Sequence, residues 1–327
     1  MATSIEDLTT NGIRSQGSTP QDSTPQDSTP QDSGPEGAGL EQPITSWYLR
    51  NGRDLPWRGA GIAAWPVMVS EFMLQQTPVA RVLPAYRDWM TRWPAPADLA
   101  EATPGDAVRQ WGRLGYPRRA LRLHESATIV TIRHDGVVPS AIADLRALPG
   151  VGSYTAAAIA SFAYGQRHAV LDTNVRRVLA RLFTGRQYPP ASLTVAEQTL
   201  AQSMLPPEQD RRAATWSVAL MELGALICTA TSPSCDLCPV AKSCAWLRNG
   251  FPAGQAPRKA KPYLGSDREC RGRLLALLRA SSCPLPRSAF DLCWPSAQQL
   301  SATLEALIAD GLATRLPSGL IALPGDN

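Results

Sequence analysis

Leu148-Pro149-Gly150-Val151-Gly152 is the stretch whose reading decides the fold. A helical pattern runs up to Ala147, two glycines bracket a valine, and a helical run of Ala, Ile and Ser begins at Ser153. Glycine turns the backbone without a side-chain penalty, so the Gly150 and Gly152 amides are free to point outward together. Outward amides beside a helix N-terminus make a site for an anion such as a nucleic-acid phosphate. A lone carboxylate, Asp172, follows twenty residues after Gly152, placed to work on a nucleotide joined to that phosphate. The same five residues also fit a plain helix–turn–helix corner with a structural glycine pair, so the rest of the chain must decide between the two.

Around the hairpin, helical periodicity dominates. It predicts apolar helices over 65–76 and 79–93, the second opened by Pro78, where a missing amide costs little. Further helices are predicted over 104–114, 118–134, 139–147, 194–204 and 211–228, with no run of period-two strands among them. The expected fold is therefore all-α. Two helical subdomains are expected within a 43–250 core: one over 66–167, the other joining 43–65 to 168–250. Before the core, Ser-Thr-Pro-Gln-Asp recurs three times between Ser18 and Asp32. That stretch has almost no apolar side chains to bury, so residues 1–42 are expected to be a disordered tail. A Pro-, Gly- and Ala-rich basic stretch reads as a linker over 251–267. Beyond it, helices over 271–280, 287–292 and 297–310 precede a hairpin of 311–316 with 319–323, a winged-helix-like C-terminal segment over 268–327.

The 327 residues are 44% hydrophobic, enough for real cores, and the net charge is +4. The isoelectric point near 8.7, with Arg far more frequent than Lys, permits a polyanionic partner. Met1-Ala2-Thr3-Ser4 leads into polar sequence instead of a charged start and an apolar core. No apolar run approaches the roughly 18 residues of a membrane span. These readings predict a cytoplasmic, nucleoid-associated monomer with no membrane partner.

Four of the seven cysteines, Cys228, Cys235, Cys238 and Cys244, are separated by six, two and five residues. Such crowding argues for a metal or cluster in a reducing compartment over disulfides. Thiolates are soft ligands that select iron–sulfur clusters, zinc or copper(I). A zinc ribbon usually pairs two knuckles across a longer gap. One C-x2-C flanked by a single cysteine on each side favours four thiolates closing on a [4Fe-4S] cluster, with zinc as the alternative. Pro233 and Pro239 stiffen the loop, and Lys242 and Arg248 are placed to meet phosphates. Cys270, Cys283 and Cys293 lack such spacing and are expected to be ordinary buried residues.

Glu71 lies inside Val67-Met68-Val69-Ser70-Glu71-Phe72-Met73-Leu74. A carboxylate secluded in such a helix is costly to ionise, so its pKa should rise, as a general acid requires. The competing readings are a solvated stripe or a pair with an Arg. Gln75 shares its face at i+4, and Gln76 and Thr77 follow at the helix end, where polar side chains are placed to enter a duplex. Asp172 precedes a helical run and suits an N-cap, with or without a catalytic role. A carboxylic acid that protonates a leaving base, and a carboxylate that stabilises or traps an oxocarbenium sugar, would cleave an N-glycosidic bond. The hairpin would hold the backbone of the flipped-out nucleotide through Gly150, Val151 and Gly152.

Together these residues resemble the helix-hairpin-helix base-excision glycosylases, and most closely the MutY-type adenine DNA glycosylases. The resemblance spans about 47–246. It rests on Arg53-Asp54-Leu55-Pro56-Trp57-Arg58, Ser70-Glu71-Phe72-Met73-Leu74-Gln75-Gln76-Thr77, residues 148–155, residues 171–175 and the four-cysteine loop. It implies a glycosylase acting on duplex DNA that carries adenine opposite 8-oxoguanine or guanine. Glu71 would protonate adenine N7, and Asp172 would stabilise the sugar cation or form an adduct with it. Asn174 would hold the carboxylates and water, and Tyr154 would stand near the reacting sugar. Related bifunctional enzymes carry Lys where this chain has Tyr154, so the resemblance implies a monofunctional enzyme. Gln75, Gln76 and Tyr116 would enter the duplex around the mispair, and Leu55, Trp57 and Arg58 would wall the base pocket.

The chain departs from the family pattern in four places. Gly115-Tyr116-Pro117 stands for the usual Gly-Tyr-Tyr, and Asp172-Thr173-Asn174 for Asp-Gly-Asn. Val218 sits where a polar residue often lines the pocket, one turn before Glu222. The C-terminal segment is too short for the MutT-like domain with which many members read 8-oxoguanine. Two alternatives remain at this stage: a mismatch thymine or uracil glycosylase, and a non-catalytic iron–sulfur DNA-binding protein. Gln75-Gln76-Thr77 and Leu55-Pro56-Trp57-Arg58 favour adenine, and the presence of both Glu71 and Asp172 disfavours a binding module.

Overall fold

The computed structural model describes residues 39–59, 61–207, 211–255 and 262–326. The Ser-Thr-Pro-Gln-Asp repeats and most of the expected tail lie outside them, as do the basic residues at the middle of the expected linker.

Fourteen α-helices occur among the described residues. They are α1 (Glu41–Asn51), α2 (Ala64–Leu74), α3 (Val79–Arg92), α4 (Pro96–Glu101), α5 (Pro104–Trp111), α6 (Arg118–Arg133) and α7 (Ile142–Ala147). Then follow α8 (Ser153–Phe162), α9 (Thr173–Thr184), α10 (Val195–Ser203), α11 (Arg212–Leu226), α12 (Ala245–Arg248), α13 (Asp267–Ala280) and α14 (Ala297–Ala309). The all-α expectation holds. Its boundaries shift where caps decide them. Thr103 and Thr194 each accept a hydrogen bond from an amide three residues on and close capping boxes that start α5 and α10. The helix expected from residue 139 starts at Ile142. The first helix begins at Glu41, within the stretch expected to be tail. Helix α4 has six residues, too few for periodicity to reveal it.

Two apolar cores form. The first gathers side chains of α2 to α8, with Trp89, Trp93 and Trp111 packed edge to face. The second joins Ile44 and Trp47 of α1 to α9, α10, α11 and the cysteine loop. Helix α8 serves both: Ala156, Ile159 and Ala160 face the first core and Ala158 the second. The catalytic candidates described below lie where these two cores adjoin.

The C-terminal segment is continuous with the first core, through Cys270, Leu274, Leu278, Phe290, Leu304 and Ile321. It closes on α5: the Gly105 amide donates to the Pro324 carbonyl at 2.6 Å, and Arg109 meets Asp326 at 2.7 Å. The expected hairpin is present but short. Strand β1 (Thr314–Arg315) pairs antiparallel with β2 (Ile321–Ala322), and Leu285 bridges to Ile321 on the other side. The expected helix at 287–292 is a 3-10 turn, Arg287–Phe290. Helix α14 exposes Gln298, Ser301, Ala302 and Glu305 and carries neither Arg nor Lys. Of the three cysteines expected to be buried here, Cys270 is buried and Cys293 half-buried, but Cys283 is exposed. Cys283 lies in the loop after α13, outside the apolar face that joins the first core. Among the described residues no helix is long and apolar enough to cross a membrane.

Candidate active site

The hairpin forms as its glycines require. Gly150 has φ +81°, and a Cβ there would lie 2.9 Å from both the Phe72 ring and Arg122 Cβ. Glycine is therefore needed for conformation and for space. Gly152 is the N-cap of α8. Ser126 Oγ donates to the Pro149 carbonyl at 2.7 Å and fixes the loop on α6. The Val151 amide closes the turn on the Leu148 carbonyl at 3.2 Å, and the Val151 side chain is buried. The Val151 amide is thus spent within the turn, and Val151 holds the hairpin in place of offering a donor.

Helix α2 buries eight of its eleven residues, so Glu71 neither faces solvent nor forms a surface pair. Its side chain meets Tyr154 from the first turn of α8 and lies beside Asp172 at the start of α9. Burial raises the Glu71 pKa to about 7, with the Asp172 charge adding to the effect. The Tyr154 hydrogen bond and the Arg58 charge oppose the shift. Asp172 is both cap and neighbour of the acid. Its Oδ1 accepts from the Val175 amide at 2.6 Å, and its Oδ2 accepts from Asn174 Nδ2 at 2.8 Å. Burial raises its pKa, while those two donors pull the other way. Burial and both carboxylates push Tyr154 well above the usual phenol value. A proton-holding acid, a hydrogen-bonded carboxylate and a neutral phenol thus converge from three separate helices. The Asn174 Oδ1 in turn accepts from Arg177 Nη2 at 2.9 Å. A groove of about 660 Å³ opens beside Tyr154 and Leu171, walled by His168, Gln198 and Gln202.

Leu55 and Trp57 are buried, and the Trp57 ring stands edge-on to Tyr86 at 4.9 Å. Arg58 reaches Glu222 of α11 at 2.8 Å. Arg53 chelates the same carboxylate, Nε to Oε2 at 2.9 Å and Nη2 to Oε1 at 2.5 Å. Glu222 is fully buried, and the two guanidiniums hold its pKa below the ordinary carboxylate range despite burial. This triad locks the 53–58 segment onto α11 beside Glu71. Neither Glu222 nor Arg53 was assigned a role from sequence. The signal was available: Glu222 lies in Ala219-Leu220-Met221-Glu222-Leu223, an apolar setting like that of Glu71. Val218, one turn earlier, is half-buried.

Gln75 bonds Thr155 at 3.4 Å, while Gln76 is exposed at φ +54°. Tyr116 is 54% exposed at φ +46°. Thr77, expected to enter a duplex, turns inward instead. Its hydroxyl donates toward the Leu114 carbonyl at 3.3 Å and accepts from Arg119 Nη2 at 3.0 Å. The chain must reverse there between α2 and α3, and the buried hydroxyl anchors that reversal.

The four cysteines of the loop are half-buried, and Cys228, Cys238 and Cys244 pack against the second core. Buried Arg181, stacked on Trp246 at 4.4 Å, donates to Cys228 Sγ at 3.3 Å and to the Thr229 and Ala230 carbonyls. Burial first, with the charges of the other three cysteines adding to it and the Val240 amide opposing, raises the Cys238 thiol pKa to about 11. Among the described residues no three metal-binding side chains close on a point that one ion would fill. Four neighbouring thiols, with a cation donating to one sulfur, are a donor set of the soft kind that iron–sulfur clusters and zinc take.

Residues 69–200 match the HhH-GPD superfamily of base excision DNA repair proteins. An adenine DNA glycosylase of Mycobacterium tuberculosis (strain ATCC 25618 / H37Rv) is 50% identical over 285 residues, 86% of this chain and 93% of that protein. That of Mycolicibacterium smegmatis is 47% identical over 284 residues, 86% of this chain and 95% of its own. A thermostable thymine-DNA glycosylase shares the fold with TM-score 0.58 and 26% identity, over 65% of this chain and 97% of its own. The chain belongs to the helix-hairpin-helix base-excision DNA repair superfamily. Within it, its family is that of the adenine DNA glycosylases.

Proposed function

We propose that this chain hydrolyses the N-glycosidic bond of adenine mispaired with 8-oxoguanine or guanine in duplex DNA. The convergence of Glu71, Tyr154 and Asp172 carries this reading. With a pKa of about 7, Glu71 still holds a proton near neutrality and can give it to the leaving base, at N7 of adenine. The C1′–N9 electron pair leaves with the base. Asp172 faces the positive charge that develops on the sugar, held in place by Val175 and Asn174. Water then adds to C1′, its proton returns to the Glu71 carboxylate, and an abasic site remains. Tyr154 has no amine to form a Schiff base, so the strand stays intact. Gly150 and Gly152 would hold a backbone phosphate, Gln75, Gln76 and Tyr116 would enter the duplex, and Leu55, Trp57 and Arg58 would bound the base pocket.

Cys228, Cys235, Cys238 and Cys244 would hold a [4Fe-4S] cluster that ties the loop to α9 and α11. The enzyme would act as a monomer in the cytoplasm, with the nucleoid. Incubation with A:8-oxoguanine, A:G, T:G and U:G duplexes, followed by alkali, tests the substrate. Cleavage of only T:G or U:G would overturn it in favour of a pyrimidine mismatch glycosylase. Broad visible absorption with iron and sulfide is expected of the purified protein, and stoichiometric zinc without that absorption would replace the cluster assignment.

A further inference from the structure

Arg119 is 9% exposed, yet its partners are carbonyls and one hydroxyl, with no carboxylate among the described residues that bond it. Its Nη1 donates to the Phe72, Met73 and Gln75 carbonyls at 2.7, 3.0 and 2.6 Å. These are the free carbonyls at the C-terminus of α2, where the helix dipole favours a cation. Its Nη2 donates to Thr77 Oγ1 and to the Gly115 carbonyl, both at 3.0 Å. The Trp111 and Tyr116 rings lie 5.1 and 5.5 Å from the guanidinium carbon. One planar fork therefore joins two turns that are about forty residues apart in sequence.

Both turns carry a non-glycine residue in the left-handed region, Gln76 at φ +54° and Tyr116 at φ +46°. Such conformations cost of order 1–3 kcal/mol each and persist only where the surroundings enforce them. Both residues are exposed, one an amide and the other an aromatic ring, the types that pair with or wedge between bases. The helix that ends on Arg119 is also the helix that carries Glu71.

We infer that Arg119 is a positioning residue that locks the 75–77 and 115–117 turns into one preorganised probe and fixes that probe relative to Glu71. The inference rests on the adenine glycosylase reading. A rigid probe loses little freedom on entering a duplex, so its effect falls on discrimination between mispaired and matched DNA. The limiting rate at Glu71 is expected to change little. Lysine at this position keeps a charge for the α2 carbonyls but cannot fork to Gly115 and Thr77.

The test measures binding of the full-length protein to a duplex bearing 2′-fluoro-adenosine, which resists hydrolysis, opposite 8-oxoguanine, and to the matched duplex. Single-turnover base release from A:8-oxoguanine at saturating enzyme is measured in parallel. For Arg119→Lys the mispaired-to-matched affinity ratio should fall about tenfold, with matched-duplex affinity and limiting rate within about threefold of wild type. An unchanged ratio, or a parallel loss of both affinities and of rate, would overturn the inference. Should Arg119→Lys fail to fold, Thr77→Val removes the one hydroxyl that accepts from Arg119 and donates to the Leu114 carbonyl, and decides the matter. A ratio lowered about threefold supports the probe, and an unchanged one refutes it. A wild-type protein with no preference for the adenine mispair would instead sink the functional reading itself.

Discussion

Replacing Glu71 with glutamine keeps the size of a core side chain and removes its proton equilibrium. The folded carboxyl titrates at about 7, against an ordinary 4.5. Because the folded pKa is raised, the native state binds the proton more tightly than the unfolded chain does. The contribution of Glu71 to stability is therefore fully present below the unfolded value, declines as pH rises, and is gone above about 7. Between about pH 5.5 and about pH 8.5 the loss is about 2 kcal/mol from these two pKa values. Glu71→Gln has no such loss. The difference in unfolding free energy between variant and wild type should shift by that amount in the variant's favour across the range. Urea unfolding at several pH values, followed by circular dichroism, reads it directly, and other titrating groups largely cancel in the difference. The variant should bind mispaired DNA and release no adenine. A flat difference curve would mean that Glu71 is solvated in the folded protein, and the argument for a proton-holding acid would fall with it.

Three further outcomes are expected. Tyr154→Phe deletes a hydrogen bond that lowers the Glu71 pKa, so the alkaline fall in single-turnover rate, expected near pH 7 in wild type, should move to higher pH. A limb that stays in place or moves down would remove Tyr154 from contact with the acid. Glu222→Gln strands Arg53 and Arg58 beside a neutral group. It should lower stability by about 3 kcal/mol, the lower end for a broken buried pair because Arg53 is partly exposed. Urea midpoints check it, and a change below about 0.5 kcal/mol would show that the triad carries no structural role. Gly150→Ala forces a side chain onto Phe72 at a left-handed φ and should cost about 2 kcal/mol. It should also weaken binding to every duplex and flatten the salt dependence of affinity, and an unaltered salt slope would argue against phosphate capture at the hairpin.

Much of this molecule is written locally. Prolines and capping threonines mark where helices start, the Gly150–Gly152 pair marks the hairpin, and cysteine spacing marks the loop. Each depends on residues within a turn or two, so one chain read in order reveals them. The acidity expected of Glu71 was also legible, because a carboxylate in an unbroken apolar helix must be buried somewhere. What buries it was not. Tyr154 and Asp172 reach Glu71 from helices about 80 and 100 residues away. The same holds for Glu222, whose partners Arg53 and Arg58 stand at the far end of the core sequence. Thr77 looked like a DNA contact because it follows a helix end, and only packing against Leu114 and Arg119 turns it inward. The C-terminal segment looked like a separate module, yet its apolar face is continuous with the first core. Sequence alone determined the helices, the hairpin and the identity of the reacting groups, because periodicity, glycine conformation and side-chain chemistry are properties of short segments. Tertiary structure alone decided which groups surround the Glu71 carboxyl and which turns are held together, because desolvation and charge coupling depend on what lies nearby in space.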